Sequence, residues 1–335
     1  VETMAAWAFH GPSLYLASRM MWNPDLDADA VLNDYYTKFF GPAGSHVQQY
    51  FETLEAAYLE NDYHTGNMFD VPKILTPAVM SRLDQAVTKA EQAVSDESAY
   101  APRVQMVRDG LRGGQLILGT IRALNECDFD VARRNVDEAR ELLKSGMKKT
   151  PPRFDHSVGI GYFNRFWANT VDHGYQCTHN GNEKVLQLPD RWRFMLDPYS
   201  GGDEFELWDP DLGKKPWRTI RTYSQSWSNQ GLRYYKGDCW YRNEFQVPDR
   251  YEGRELVLWL AGVDNTLRVW INGQELEMTK KGASPIGRPW QFDATDAIRF
   301  DGENTIAIRV RNDRLRELGT GGLTGPVMIW AKAEE

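Results

Sequence analysis

The stretch "GDCWYRNEFQVP", Gly237 to Pro248, decides how the second half of this chain is read. It reads as a strand that ends at a proline. Side chains on a strand alternate between faces, so Tyr241, Phe245 and Val247 share one side and Trp240, Arg242 and Glu244 share the other. Asn243 falls on the Tyr241 side, where an amide is out of place, so a bulge is expected near it. A Trp–Arg–Glu side is unusual on an antiparallel sheet, whose outer face normally carries Thr, Lys or Glu.

The pattern recurs outward from this strand. Leu256, Leu258 and Leu260 alternate, then the turn "GVDN" leads to Leu267, Val269 and Ile271, and "NGQ" turns the chain again. Ile306, Ile308 and Val310 follow "DGEN", and Val327, Ile329 and Ala331 close the series. Taking each aliphatic register as the core side, the opposite side holds Val257 and Trp259, Arg268 and Trp270, and Arg309 with Arg311. Four strands thus present one Trp/Arg face. Guanidinium groups stack on indoles and hydrogen-bond polyhydroxylated ligands, so the face suits a sugar. The alternative is burial under another layer, with Arg stems packed on Trp and the helical half and connector as the cover. Many short strands joined by Gly, Asn and Asp turns, with no helix between them, give an antiparallel β-sandwich from residue 185 to 335.

The first half has helical periodicity. "DADAVLNDYYTKFFG" starts at Asp27 or Asp29 and stops at Gly41. A second helix carries Val47, Tyr50, Phe51, Leu54 and Tyr58, and a third opens with Thr76 as N-cap and Pro77 in its first turn. A fourth runs from Pro102 to about Asn125, weakened by Gly113 and Gly114 or opened by them to close helix contact. A fifth spans roughly Phe129 to Ser145. Short loops between such helices imply an antiparallel bundle over 22–150. Residues 151–184 lack a steady period but carry Tyr162, Phe163, Phe166 and Trp167, so they read as a connector that packs down.

The chain has 335 residues, which favours two domains, and its net charge of -8 argues against a nucleic-acid partner. No apolar run approaches the roughly 20 residues that span a bilayer. The chain begins at Val1, as though cut from something longer. Its three cysteines, Cys127, Cys177 and Cys239, show no metal-type spacing, although one pair could bridge. His10, His46, His64, His156, His173 and His179 are scattered; His173, Cys177 and His179 share one aromatic loop, where packing is a commoner role than metal binding. No GxSxG, HExxH or phosphate loop is present. Asp301 and Glu303 sit in a turn, and Asp128 and Asp130 open a helix, where capping is their ordinary role. Catalysis by this chain alone is not expected. The stretch "LDPYSGGDE", Leu196 to Glu204, offers oxygen ligands for a structural calcium, the one cofactor the sequence suggests.

With 12 Trp, the loops supply the candidate sugar contacts: Trp208, Trp217, Trp227 beside Ser226, Ser228, Asn229 and Gln230, and Arg288 with Trp290. Trp227 leads this set, as an expected exposed indole among amides and hydroxyls.

The β-half resembles a known family. "LPDRWRFMLDP", "GDCWYRNEFQVP", "LVLWLAGVDNTLRVWINGQEL", "FDATDAIRFDGENTIAIRVRN" and "GGLTGPVMIW" occur in the order of the galactose-binding-like jelly roll, the sugar-binding domain of family-two glycoside hydrolases. There the domain usually supports a catalytic barrel and often binds no free sugar. The segment "LYLASRMMWNPDLDADAVLNDYYTKFFGPAG" resembles the region just after the barrel in a bacterial family related to α-glucuronidases and hexosaminidase-like hydrolases. That resemblance makes residues 1–21 the last barrel strand and helix, with Trp7 and His10 near the rim of an active site this chain lacks. Together the resemblances imply part of a secreted or periplasmic glycoside hydrolase that meets oligo- or polysaccharide and a preceding catalytic barrel. Three roles remain open: an accessory carbohydrate-binding module, a purely structural interdomain module, or an intact hydrolase with an unrecognised site.

Overall fold

The computed structural model describes residues 6–61, 69–155, 161–212, 217–283, 286–314 and 321–334. The chain divides into two compact units, one of residues 1–63, 71–119 and 135–163, the other of 64–70, 120–134 and 164–335. The division differs from the expected boundaries at 150 and 184. It falls inside the connector, and the tip of one helical hairpin groups with the β-half.

The helical elements are α1 (Trp7–Trp22), α2 (Ala28–Phe40), α3 (Gly44–Leu59), α4 (Val71–Ile74), α5 (Pro77–Gln92), α6 (Ala101–Asn125) and α7 (Phe129–Met147). Their ends follow capping chemistry. Asp27 accepts from the Asp29 and Ala30 amides at 2.9 and 3.1 Å, and α2 stops at Gly41, whose φ of 55° suits glycine. The Thr76 hydroxyl accepts from the Val79 amide at 3.3 Å and opens α5. Tyr35, Phe40, Val47, Tyr50, Leu83, Val87, Val107 and Leu111 form the core of the first unit. Close helix contact comes at Gly110, where a Cβ would lie 2.6 Å from the Ala8 carbonyl oxygen. Gly113 has no such neighbour; a Cβ there would meet only Phe9 and Phe154 rings at 3.5 Å or more. The barrel strand expected at the start of the chain falls largely on residues outside those described, whereas Trp7 to Trp22 is helix. His64 and His156 also lie outside the described residues.

The connector is helical in its second part, ending in α8 (Asn169–Gln176). Phe163, Phe166 and Trp167 are buried as expected, and Tyr162 is exposed. No helix among the described residues is long and apolar enough to cross a membrane.

The β-half contains β1 (Glu183–Gln187), β2 (Arg191–Asp197), β3 (Arg218–Arg221), β4 (Gly237–Phe245), β5 (Leu256–Leu260), β6 (Val263–Asp264), β7 (Thr266–Ile271), β8 (Gln274–Glu275), β9 (Met278–Lys280), β10 (Trp290–Asp293), β11 (Asn304–Asn312), β12 (Gly322–Leu323) and β13 (Val327–Ala331). One sheet runs β1-β13-β5-β10-β9 and the other β3-β2-β4-β11-β7-β8, with β12-β6 as a short pair. The four aliphatic registers read from the sequence all enter one core, with Trp192, Phe194, Tyr241 and Phe292 between the sheets. The bulge expected near Asn243 is absent: β4 pairs with β11 without a break from Gly237 to Phe245. Asn243 is half-buried there, and its amide donates to the Arg191 carbonyl at 3.1 Å.

Candidate functional site

The four-strand Trp/Arg face divides between two sheets. β4, β7 and β11 belong to the six-stranded sheet, but β5, with Trp259, belongs to the five-stranded one. Alternation had assigned each residue its face correctly; it carries no signal for which sheet a strand joins.

On the six-stranded sheet the outward residues form two cross-strand rows. Met195, Trp240, Arg309 and Arg268 are successive neighbours in one, and Arg193, Arg242, Ala307, Trp270 and Glu275 in the other. Trp240 stacks on Trp270 with centroids 5.2 Å apart. The cover is the sandwich's own β2–β3 connection, through Leu207, Trp208, Leu212 and Trp217, not the helical half. Asp197 fastens that connection by accepting from the amides of Gly201 and Gly202 at 2.9 and 2.8 Å and from the Trp240 indole at 3.0 Å. Asp203 reaches down to Arg268 at 3.1 Å and to Arg309. Arg242 is 3% exposed. Its guanidinium donates to the carbonyls of Leu207, Asp209 and Pro210 at 3.1, 2.6 and 3.3 Å. Burial, then Arg193, lowers the proton affinity of Arg242. Asp197 and Asp203 of the "LDPYSGGDE" stretch therefore meet N–H groups of the protein here, amides and an indole for one and guanidiniums for the other.

The loop tryptophans occupy three separate places. Trp208 and Trp217 are half-buried in the cover just described, with the Arg242 guanidinium 6.0 Å from the Trp217 ring centroid. Trp227 is 1% exposed, which corrects the expectation of an exposed indole. Its Nε1–H donates to the Tyr241 hydroxyl at 2.5 Å, inside the core. Gly322, at φ 85°, allows this: a Cβ there would lie 2.2 Å from the Trp227 Nε1 and 2.3 Å from the Tyr241 oxygen. Asn229 accepts from the Ser226 amide and hydroxyl, both at 2.9 Å, and donates to Asp70 at 2.6 Å. Trp290 is on β10 and faces the intersheet core, while Arg288 is exposed. The six candidates do not converge.

On the five-stranded sheet, helical residues do form the cover. The Phe129 ring meets Trp259 edge-on at 5.7 Å, and the Trp259 Nε1–H donates to His173 Nδ1 at 3.1 Å. The three thiols are free and buried. Burial pushes the Cys177 thiol up to about 12, so it stays protonated at neutral pH. His179 stacks on Tyr175 at 3.7 Å and meets Asp130 at 3.1 Å. No group of three or more His, Cys, Asp or Glu that could hold a metal ion occurs among the described residues.

His173 predicts a pH effect. Burial, helped by Lys280, lowers its pKa from 6.5 to about 4. The unfolded chain takes up the proton first, so this contribution to stability is complete above pH 6.5 and is lost as pH falls toward 4. Urea midpoints at pH 7, 5.5 and 4 should drop more steeply for the native protein than for His173→Gln, which keeps an acceptor for Trp259. Parallel declines would contradict this.

Asp128 caps α7 as expected, accepting from the Val131 amide at 3.1 Å. Asp301 and Glu303 are exposed in their turn. Asn272 and Asn304 are structural residues that sequence reading passed over. Their side chains bond at 2.7 Å and pin the neighbouring turns, with "NG" and "EN" as the only local signals.

The fold and this framework define a class: residues 186–317 match the family model described as "Glycosyl hydrolases family 2, sugar binding domain". The β-half is thus similar to a family 2 sugar-binding domain, and residues 2–52 match a "Domain of unknown function (DUF4838)". A beta-glucuronidase of Paenibacillus borealis is 30% identical over 131 residues, which are 38% of this chain and 21% of the relative. A beta-galactosidase of Thermoanaerobacter pseudethanolicus is 30% identical over 89 residues, 26% of this chain and 11% of that protein. The solved beta-glucuronidase of Ruminococcus gnavus aligns over 46% of this chain and 29% of its own, at 17% identity and a TM-score of 0.37. The chain thus spans about a fifth or less of the length of the two curated relatives and 29% of the solved one.

Proposed function

We propose that this chain is a non-catalytic accessory part of a glycoside hydrolase, one that meets carbohydrate on its surface and works beside a catalytic barrel. The observation that carries this reading is the match of residues 186–317 to a sugar-binding domain, laid on a sandwich whose Trp240–Trp270 pair lies under the β2–β3 cover. Glycoside hydrolysis needs two carboxylates about 5–9.5 Å apart, one of them free to hand over a proton. On the Trp240–Trp270 face Asp197 and Asp203 bond the cover and the sheet, and Glu244 pairs with Arg193, so all three carboxylates are engaged by protein groups. A secreted or periplasmic setting goes with this role, because polysaccharide lies outside the cell.

Two assays test it together. Aryl glycosides, including glucuronides and galactosides, should release no aglycone above the blank, and insoluble polysaccharide should retain the chain. Turnover abolished by one Asp or Glu substitution would contradict the non-catalytic part. A broad polysaccharide panel that retains nothing would leave the purely structural role.

A further inference from the structure

A small cavity opens on the outer face of the five-stranded sheet, with a volume of about 260 Å³. Strand pairing builds its base: Trp330 lies opposite Val257, and Val257 opposite Asp293, so all three side chains share the outer face. Trp330 and Val257 are buried and form the floor. Glu255, Lys280, Asp293 and Lys332 are exposed and form the wall. Lys332 pairs with Glu255, while Lys280 makes no ion pair with a described residue. Asp293 accepts one hydrogen bond, from the Thr295 amide at 3.0 Å. The Trp330 indole N–H is itself buried and meets no acceptor among the described residues.

We propose that this cavity binds one neutral pyranose residue, an inference that rests on the accessory carbohydrate reading above. Drug-sized ligands occupy pockets of roughly 300–1,000 Å³, so a cavity just below that range takes a single ring. A pyranose has an apolar ring face for Val257 and the indole, and a rim of hydroxyls that both donate and accept. Donor-only ammonium groups and acceptor-only carboxylates around the wall satisfy such a rim together. The wall carries Lys280 and Lys332 against Glu255 and Asp293, so its charges cancel. A uronate carboxylate gains nothing net there, which favours the neutral sugar. Lys280 and Asp293 stand on paired strands and Glu255 and Lys332 directly at strand ends, and such sites hold their geometry better than sites on loops.

The test is a titration of the whole chain with methyl glucoside, galactoside, mannoside and xyloside, and with methyl glucuronide as the charged control, followed by saturation-transfer NMR. At least one neutral glycoside should bind, and the glucuronide at least tenfold more weakly. Lys280→Ala and Asp293→Ala should each weaken binding by tenfold or more at an unchanged unfolding temperature, since both side chains are exposed. No response to any neutral glycoside would overturn the proposal. Full binding by both variants would overturn the cavity alone and leave the accessory reading intact, because the sugar would then sit elsewhere.

Discussion

Trp227→Ala should destabilise the β-sandwich by about 3–5 kcal/mol, the range for truncating a buried aromatic. The indole is 1% exposed and packs edge-on against Phe194 and Tyr235 at 6.4 and 5.5 Å. Its removal leaves a cavity and takes a donor from the buried Tyr241 hydroxyl, which the Leu323 amide alone would then reach, at 3.2 Å. A domain is stable by only about 5–15 kcal/mol, so the loss should show as a large drop in the urea midpoint. Trp227→Phe keeps most of the packing and should forfeit mainly the hydrogen bond, about 1 kcal/mol. If Trp227→Ala left the midpoint unchanged while carbohydrate retention vanished, the ring would be a surface contact after all.

Trp240→Ala should cost a similar ~3–5 kcal/mol, through a different layer. Trp240 is fully buried between the outer face of the six-stranded sheet and the β2–β3 cover. Its ring supports Trp270, and its N–H holds the Asp197 carboxylate that also gathers the amides of Gly201 and Gly202. The substitution therefore attacks sheet and cover at once. Amide exchange of residues 198–212 should rise along with the fall in stability. A stability loss with unchanged protection of that segment would mean that the cover stands without Trp240.

Much of the fold was legible because burial enforces simple periods. A one-residue slip would turn Leu256, Leu258 and Leu260 out to solvent, so their alternation could be read with nothing else known. Asp27, Gly41 and Thr76 announced helix ends because unpaired backbone groups need those residue types there. The cover was not legible. Nothing local shows that the segment after Asp197 folds back over Trp240, since the bonds that hold it join Asp203 to Arg268 and Arg309, far apart in sequence. Trp227 misled for a related reason. The polar residues around it suggested solvent, but Ser226 and Asn229 bond one another and Gln230 bonds Arg221, so they shape a turn that delivers the ring inward. The glycine and proline before Trp290 read as loop, although β10 pairs it opposite Leu260. The cavity on the other sheet combines Glu255, Lys280, Asp293 and Trp330 from four strands or their ends, a set that only the strand order brings together.

The central claim is that the tryptophans around the WYR strand are framework, and that carbohydrate meets other surfaces. Indole N–H exchange with deuterium, followed on protein carrying ¹⁵N-labelled tryptophan, tests it most directly. The account predicts that the Trp227 and Trp240 indole protons exchange only on unfolding, and that neither signal moves when oligosaccharide is added. Rapid exchange at Trp227, or a saccharide-dependent shift of its signal, would contradict it.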